Sequence, residues 1–300
     1  MANNTFTVKF WGVRGSYPTP GPQTMHYGGN TACVEVRAAG HTIILDAGTG
    51  IIPLGRELAT RSRQSGQPVR ALILFSHLHH DHTQGFPFFA PAYNPGANLR
   101  IYGPGSSEQA LEDLLARNQT PPAFPITLRD MHAAREIRTI GEMDSIALDE
   151  NGIRLLRGGG ATPPDAAVIR LMKSYSHPGG VYFYRIEWRG RSVVYATDTE
   201  GYVGTDRRLA AFAQQRGHLS CPAGDQAENL VWRLWFCRWQ DTAAPSCARY
   251  DRAGHRHFDR IVFEAYGARV PWQTAAALLL ASSADRQDKG FSKKHSASEL

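Results

Sequence analysis

The residues with the clearest chemical potential are three histidines and one aspartate close together in the chain. His77, His79, Asp81 and His82 stand in the order His-x-His-x-Asp-His. They follow residues 69–75, an apolar run that predicts a buried strand. Neutral imidazole and carboxylate groups are suitable ligands for Zn²⁺ and its neighbours in the first transition row. Three imidazoles and a carboxylate at one strand end therefore predict a metal site.

The spacing of this cluster allows it to serve two ions. Successive residues of an extended segment point to opposite faces, so His77 and His79 can share one side. Once the chain turns, Asp81 and His82 can face a second ion. His80 lies between ligand positions and is expected to point away. The alternative is a solvated histidine-rich loop, but such loops rarely follow a buried strand and combine this spacing with an aspartate.

Composition and charge narrow the class of protein. The chain has 300 residues, 42% of them hydrophobic, with 29 Gly and 18 Pro, which favours one loop-rich globular α/β domain. A formal charge of +6 favours an anionic substrate through long-range steering. No apolar run approaches the ~20 residues needed to cross a bilayer, and the N-terminus lacks a signal pattern. We therefore expect no membrane association and a cytoplasmic location.

Strands alternating with helices are predicted to position the cluster. The predicted strands are residues 5–11, 33–36, 42–45, 69–75, 99–102, 167–172, 181–188 and 192–196. Helices are predicted over residues 51–63 and 106–117, with Ser106 as the N-cap of the second. Residues 120–166 are proline-rich and then strand-like, and are expected to form the rim of the active site.

Further segments carry a resemblance to a known family. They are residues 10–21 (Phe-Trp-Gly-Val-Arg-Gly-Ser, then Tyr-Pro-Thr-Pro-Gly), 27–33 (Tyr-Gly-Gly-Asn-Thr-Ala-Cys), 45–50 (Leu-Asp-Ala-Gly-Thr-Gly), 174–180 (Ser-Tyr-Ser-His-Pro-Gly-Gly) and 195–200 (Tyr-Ala-Thr-Asp-Thr-Glu). With the histidine cluster they resemble the metallo-β-lactamase fold superfamily, in particular the relatives of ribonuclease Z and of the phosphoribosyl cyclic phosphate phosphodiesterases. The resemblance implies an α/β fold, an αββα four-layer sandwich, with an atypical C-terminal tail.

The resemblance also implies a metal-ligand set. The first ion would be held by His77, His79 and His177, and the second by Asp81, His82 and Asp198, which bridges both ions. Taken alone, His177 could be a packed or surface residue, and Asp198 could be a turn cap. The expected cofactor is Zn²⁺. Two ions are expected, and the second site is the doubtful one. Mn²⁺ or Fe²⁺ is the alternative metal. Two ions ~3.5–4 Å apart can share a hydroxide and lower its pKa.

Other residues are candidates for supporting roles. Asp81 is the candidate catalytic residue. Asp46 ends a predicted strand and would either orient a histidine ligand through its second nitrogen or cap the following loop. The loops that match the family contribute candidate phosphate contacts, namely Arg14, Ser16, Asn30 and Thr31. A structural turn role is the alternative for Asn30, which follows two glycines.

The C-terminal region departs from the family. We expect a hydrolase core over residues 1–213 and a divergent region over 214–300, which holds three of the four cysteines and four of the six tryptophans. The Gly-His-Ser-Thr motif and the strand ending in a histidine pair are missing from this region. Candidates by residue type for the last ligand are His218, His255, His257 and His295, and none has a matching context. The tail is either naturally divergent or translated in a shifted reading frame; a gene sequence in which no base change restores the family ending would exclude the shift.

The chain is expected to be a metal-dependent hydrolase. The favoured activity is that of a phosphodiesterase in which a metal-bound hydroxide attacks phosphorus. A thioester, lactone or β-lactam hydrolase on the same metals is the enzymatic alternative, since fold does not determine substrate. A non-catalytic or damaged product is the alternative of another class. The substrate expected is a small anionic phosphodiester or a nucleotide-like molecule. Nucleic acid lacks a supporting recognition motif, and a homodimer stays open.

Overall fold

The computed structural model describes residues 5–25, 27–106, 109–198, 207–214, 262–265, 268–269 and 278–283. The strands are β1 (Thr7–Gly12), β2 (Cys33–Ala38), β3 (His41–Leu45), β4 (Arg70–Leu74), β5 (Asn98–Gly103), β6 (Ala134–Thr139), β7 (Ser145–Asp149), β8 (Gly152–Leu156), β9 (Ala167–Ser174), β10 (Val181–Trp188), β11 (Arg191–Ala196), β12 (Val262–Ala265), β13 (Ala268–Arg269) and β14 (Leu278–Ser283). The helices are α1 (Ile51–Ser65), α2 (His80–Thr83), α3 (Leu111–Arg117) and α4 (Arg207–Gln214).

The first sheet is mixed and has the strand order β13-β12-β1-β2-β3-β4-β5-β6. Strands β1, β2 and β3 are antiparallel neighbours, whereas β3, β4, β5 and β6 run parallel to one another. The last four residues of β4 are all buried. That pattern is typical of a parallel strand covered on both faces, and it explains why residues 69–75 form a continuous apolar run.

The second sheet has the strand order β14-β11-β10-β9-β7-β8, and all its neighbouring strands are antiparallel. Strands β10 and β11 are joined by a tight turn in which Arg189 and Gly190 both have positive φ, 50° and 72°. Such turns match the right-handed twist of the strands they connect. The turn thereby brings the end of β11 to the same edge of the sheet as the end of β9.

Three apolar clusters define the layers. The largest lies between the sheets and includes Val8, Leu74 and Tyr184. A second packs α1 and α3 onto the outer face of the first sheet, and a third packs α4 onto the outer face of the second sheet through Leu209 and Phe212. Because helices cover the outside of two stacked sheets, the predicted αββα sandwich is confirmed.

The predicted N-cap of α3 is wrong. This helix begins at Leu111 and not near Ser106, whose hydroxyl instead accepts a hydrogen bond from the backbone N–H of Gln109 at 2.9 Å. The N–H of Leu111 donates to Oγ1 of Thr139 on β6 at 2.9 Å. A side chain from a distant strand therefore satisfies the helix start, and such a partner cannot be identified from local sequence.

The C-terminal region contributes strands to both sheets. Strand β12 pairs in parallel with β1, and β14 pairs in antiparallel fashion with β11. The division at residue 213 stays a prediction. The four candidate histidines of the tail lie outside the described residues. Among the helices of the described part, none has the length and apolar character required to span a bilayer.

Candidate metal centre

The centre lies where strands from both sheets end together. His77 follows β4, His177 follows β9 and Asp198 follows β11. The two sheets are joined at this edge by a hydrogen bond of 2.8 Å from the backbone N–H of Tyr182 to the carbonyl of Ser76. This bond places the turn that carries His177 beside the segment that carries His77.

A first group of possible ligands combines three histidines with Asp198. The ligand atoms of His77, His79, His177 and Asp198 all lie within 4.8 Å of one another. Nε2 of His177 is 2.9 Å from Nδ1 of His79. Two ring nitrogens at this separation cannot both point a hydrogen at each other, so the pair must share one proton or a cation.

A second group consists of Asp81, His82 and Asp198, whose ligand atoms also lie within 4.8 Å of one another. Oδ2 of Asp198 is 3.1 Å from Nε2 of His77 and 3.1 Å from Nε2 of His82. One carboxylate oxygen therefore faces both groups. Thr197 donates its hydroxyl to the other oxygen, Oδ1, at 3.2 Å.

The donors fit a divalent metal. Nε2 of His77 and Nε2 of His82 are buried, and neither forms an aligned hydrogen bond with any group in the described part of the chain. A buried polar atom without a partner costs roughly 1–3 kcal/mol. Because both nitrogens face a space shared with carboxylate oxygens, cation binding would remove this cost, and nitrogen and oxygen donors are those that Zn²⁺ accepts.

A buried carboxylate lies behind the histidines. Asp46 is completely buried, and its Oδ2 lies 2.7 Å from Nδ1 of His82. The hydroxyls of Ser76 and Tyr195 donate to the same oxygen, each at 2.7 Å, and the backbone N–H of Ser76 donates to Oδ1 at 2.7 Å. None of these partners belongs to the loop that follows Asp46. The geometry therefore favours the histidine-orienting role over loop capping.

This network determines which nitrogen of each histidine faces the centre. The single hydroxyl proton of Ser76 goes to Asp46, while Oγ of Ser76 lies 3.0 Å from Nδ1 of His77. Nδ1 of His77 must therefore donate to Ser76, just as Nδ1 of His82 donates to Asp46. A proton on each Nδ1 directs the Nε2 atoms of His77 and His82 into the centre, and in the neutral rings these atoms carry the lone pairs that a metal ligand requires.

The carboxylates of the centre are held in their ionised form. Burial by itself would raise the pKa of Asp198, but contacts with His77 and His82 hold that pKa far below its ordinary value. Burial also opposes ionisation of Asp81, yet His82 and the backbone N–H of Ser16 lower its pKa. Burial and the neighbouring imidazoles of His77 and His177 lower the pKa of His79. At neutral pH the centre therefore offers anionic oxygens and a neutral His79 imidazole to a cation.

The N-terminal loop reaches the centre through Ser16. Its backbone N–H donates to Oδ2 of Asp81 at 2.7 Å, and its φ of 66° lies in the left-handed region. Non-glycine residues seldom adopt this conformation, and they concentrate at functional sites when they do. The family-matching segment that contains Ser16 therefore contacts a carboxylate of the candidate centre directly.

The other predicted phosphate contacts have structural partners. Nε of Arg14 donates to the carbonyl of Gly28 at 2.9 Å. Thr31 is buried, and its hydroxyl accepts the backbone N–H of Thr49 at 2.8 Å, while Oδ1 of Asn30 accepts the Thr49 hydroxyl at 3.2 Å. These bonds join the loop of Asn30 and Thr31 to the loop of Thr49. Contact between any of these residues and a substrate stays a prediction.

Two residues of the centre had no role in the sequence analysis. Ser76 and Tyr195 both hold Asp46, and Tyr195 is 149 positions away from it in the chain. Ser76 carries no sequence signal besides a hydroxyl side chain at the end of a buried strand, whereas Tyr195 is the first residue of the family-matching segment 195–200. By contrast, His80 is exposed and is absent from both ligand groups, as its spacing predicts.

One comparison with known proteins identifies the family. The family model described as a beta-lactamase superfamily domain matches residues 41–216. No curated protein matches the sequence. Similar solved structures include a new diphosphatase from the PhnP family (15% identity, 60% of this chain and 61% of that chain, TM-score 0.37). The metallo-beta-lactamase fold protein YhfI from Bacillus subtilis is also similar (16% identity, 60% and 57%, TM-score 0.36). The chain thus spans about three fifths of both structures, and similarity at this level does not identify an activity.

Proposed function

The chain belongs to the beta-lactamase superfamily of metal-dependent hydrolases, and from this premise we propose that it hydrolyses phosphodiesters with two divalent ions. The first ion is assigned to His77, His79 and His177, and the second to Asp81 and His82. Asp198 serves both. Zn²⁺ is the preferred ion because the donors are imidazoles and carboxylates, and Mn²⁺ or Fe²⁺ are alternatives with the same ligand types.

Bound divalent ions supply an acidified water and stabilise charge on phosphoryl oxygens. The residues of the chain orient the histidine ligands and fix the proton on Nδ1 of His77 and His82. Asp46 and Ser76 accept the Nδ1 protons of His82 and His77, so the Nε2 atoms of both rings are directed inward. Asp81, held by the N–H of Ser16, is the candidate to orient the attacking water.

The observation that carries the phosphodiester assignment is the contact between Ser16 and Asp81. The Gly-Val-Arg-Gly-Ser segment resembles the opening of phosphodiesterase-like hydrolases, and its last residue lies 2.7 Å from a carboxylate of the centre. A net charge of +6 also favours an anionic substrate over a neutral ester or lactam. Together these features favour phosphodiesters over the other substrate classes of the superfamily.

A substrate panel combined with metal analysis tests the proposal. Purified protein is assayed with a chromogenic phosphodiester, a thioester, a lactone and a β-lactam, and metal per chain is measured by plasma mass spectrometry. Two ions per chain and preference for the phosphodiester are expected. Preference for another ester class would replace the substrate assignment. At most one ion and no turnover would support the non-catalytic alternative.

A further inference from the structure

A lysine and a tyrosine at the end of β9 precede His177 by four and two positions and have no assigned role. Lys173 pairs in register with Tyr182 on β10. The N–H of Tyr182 in turn donates to the carbonyl of Ser76, the residue before His77. Tyr175 is two positions before His177. Both residues therefore lie at the edge of the sandwich at which the possible metal ligands meet.

The ammonium of Lys173 is available to an anion. Its Nζ lies 4.8 Å from the ring centroid of Tyr175 and 6.0 Å from that of Tyr182. The ion pairs formed within the described part of the chain include none to Lys173. Glu142 accepts the backbone N–H of Lys173 at 3.0 Å, and its carboxylate pairs with Arg208 at 2.9 Å. The aromatic rings position the ammonium without neutralising its charge.

Tyr175 offers an aromatic face to solvent. It is 73% exposed, which is unusual for a large side chain beside a buried site. Lys173 covers only part of the ring, so a planar group can stack on the remainder. Base–aromatic stacking is tolerant of base identity because every base has a π-face.

Glycine at position 180 leaves room for both side chains. A Cβ there would lie 3.2 Å from Cε of Lys173 and 3.7 Å from Cδ1 of Tyr175. Gly180 also has φ +82° and donates its N–H to the carbonyl of His177 at 2.8 Å. The turn that presents His177 thus also shapes the space around Lys173 and Tyr175.

We propose that Lys173 and Tyr175 form a substrate-binding element that selects phosphodiesters carrying a nucleoside. The base stacks on Tyr175, and the ammonium of Lys173 binds an oxygen of the phosphate that the metal centre cleaves. This inference rests on the proposed function and names its substrate class. It assigns base recognition to β9 and not to the N-terminal loops, where Arg14, Asn30 and Thr31 have structural partners.

The test compares two esters with the same leaving group, thymidine 5′-monophosphate p-nitrophenyl ester and methyl p-nitrophenyl phosphate. The metal-loaded wild type is expected to prefer the nucleoside ester, and Tyr175→Leu to lower the ratio of the two kcat/KM values about 10-fold, within the range for stacking. Tyr175→Phe keeps the ring and should restore the ratio. Lys173→Met should lower kcat/KM for both esters by about 10-fold, the effect of losing one charged hydrogen bond, and Lys173→Arg should recover most of it.

Binding of thymidine 5′-monophosphate, measured by calorimetry, separates this inference from the proposed function. Weaker binding to Tyr175→Leu, with metal content equal to that of the wild type, would support the element even if neither ester is hydrolysed. If both esters are hydrolysed and Tyr175→Leu alters neither the ratio nor nucleotide binding, the inference is overturned while the phosphodiesterase assignment survives.

Discussion

The hydroxyl of Tyr195 donates a hydrogen bond of 2.7 Å to Oδ2 of Asp46, which links the second sheet to the carboxylate behind the histidines. The same oxygen accepts from Ser76 and lies 2.7 Å from Nδ1 of His82. Through Ser76 the network extends to His77. One buried carboxylate therefore influences a ligand of each proposed ion, and its partners become targets for mutation.

Tyr195→Phe is expected to weaken metal binding by about 10-fold, because partners of metal ligands commonly contribute 10- to 100-fold to affinity. Chelator competition measures the affinity directly. Tyr184→Phe is the matched control, since Tyr184 is equally buried but donates its hydroxyl to the carbonyl of Phe75 and not to Asp46. Equal metal affinity in the two variants would mean that Tyr195 has a packing role only.

His79→Ala is expected to abolish metal-dependent hydrolysis with little effect on solubility or folding. His79 is exposed, so its removal costs ligation and not core packing. His80→Ala is the control, because His80 is an exposed neighbour that lies outside both ligand groups. Activity of His79→Ala equal to that of His80→Ala would refute the ligand assignment.

Asp198→Asn is expected to lower the occupancy of both ions, because the amide offers one neutral oxygen where the carboxylate faces two groups. The backbone should tolerate this change, since Asp198 has φ +50° and asparagine adopts the left-handed region readily. Asp165→Asn, an exposed aspartate with φ +62°, is the control. Isothermal titration showing two unweakened sites in Asp198→Asn would reduce Asp198 to a turn cap.

Glu35 provides a test of stability against pH. This buried residue on β2 accepts from Arg61 at 2.7 Å and from Trp11 at 3.1 Å. Burial opposes its ionisation, but Arg61 and Arg37 hold its pKa below the ordinary value. Its contribution is therefore complete above the ordinary carboxyl pKa of about 4.3 and is lost as the pH falls through the folded-state pKa.

Glu35→Gln should lower the free energy of unfolding by about 2 kcal/mol at pH 7 and by less in acid. Denaturant titrations at pH 7 and below pH 4 measure the difference. Glu57→Gln is the control, because Glu57 pairs with Arg61 on the surface of α1 and should contribute roughly 0.5 kcal/mol or less. A loss that does not vary with pH would exclude a charge effect at Glu35.

Truncation after residue 214 tests the C-terminal region. It removes β12 and β14, which pair with β1 and β11, so both strands would be left with open edges. We expect a lower melting temperature and weaker binding of the second ion. Unchanged activity and metal content would make the region an inert appendage. Separate His255→Ala and His257→Ala variants then show whether either residue supplies a ligand.

Local pattern was enough to predict many of the strands and part of the centre, whereas the αββα sandwich followed from the family resemblance. The histidine cluster lies within six consecutive positions, so strand geometry alone brings His77, Asp81 and His82 to one end of β4. Alternation and apolar runs likewise predicted β9, β10 and β11, because backbone periodicity acts over a few residues. The positions of His177 and Asp198 followed from their resemblance to a family, and the structure places both beside the cluster.

Only the tertiary structure decided which distant side chains meet. Thr139 replaces Ser106 at the start of α3, and Tyr195 joins Asp46 across the two sheets. Lys173 likewise comes opposite Tyr182 only after β9 pairs with β10. These contacts depend on strand register and on the stacking of the layers. Register and stacking are properties of the whole packed core, and no short segment of the sequence encodes them.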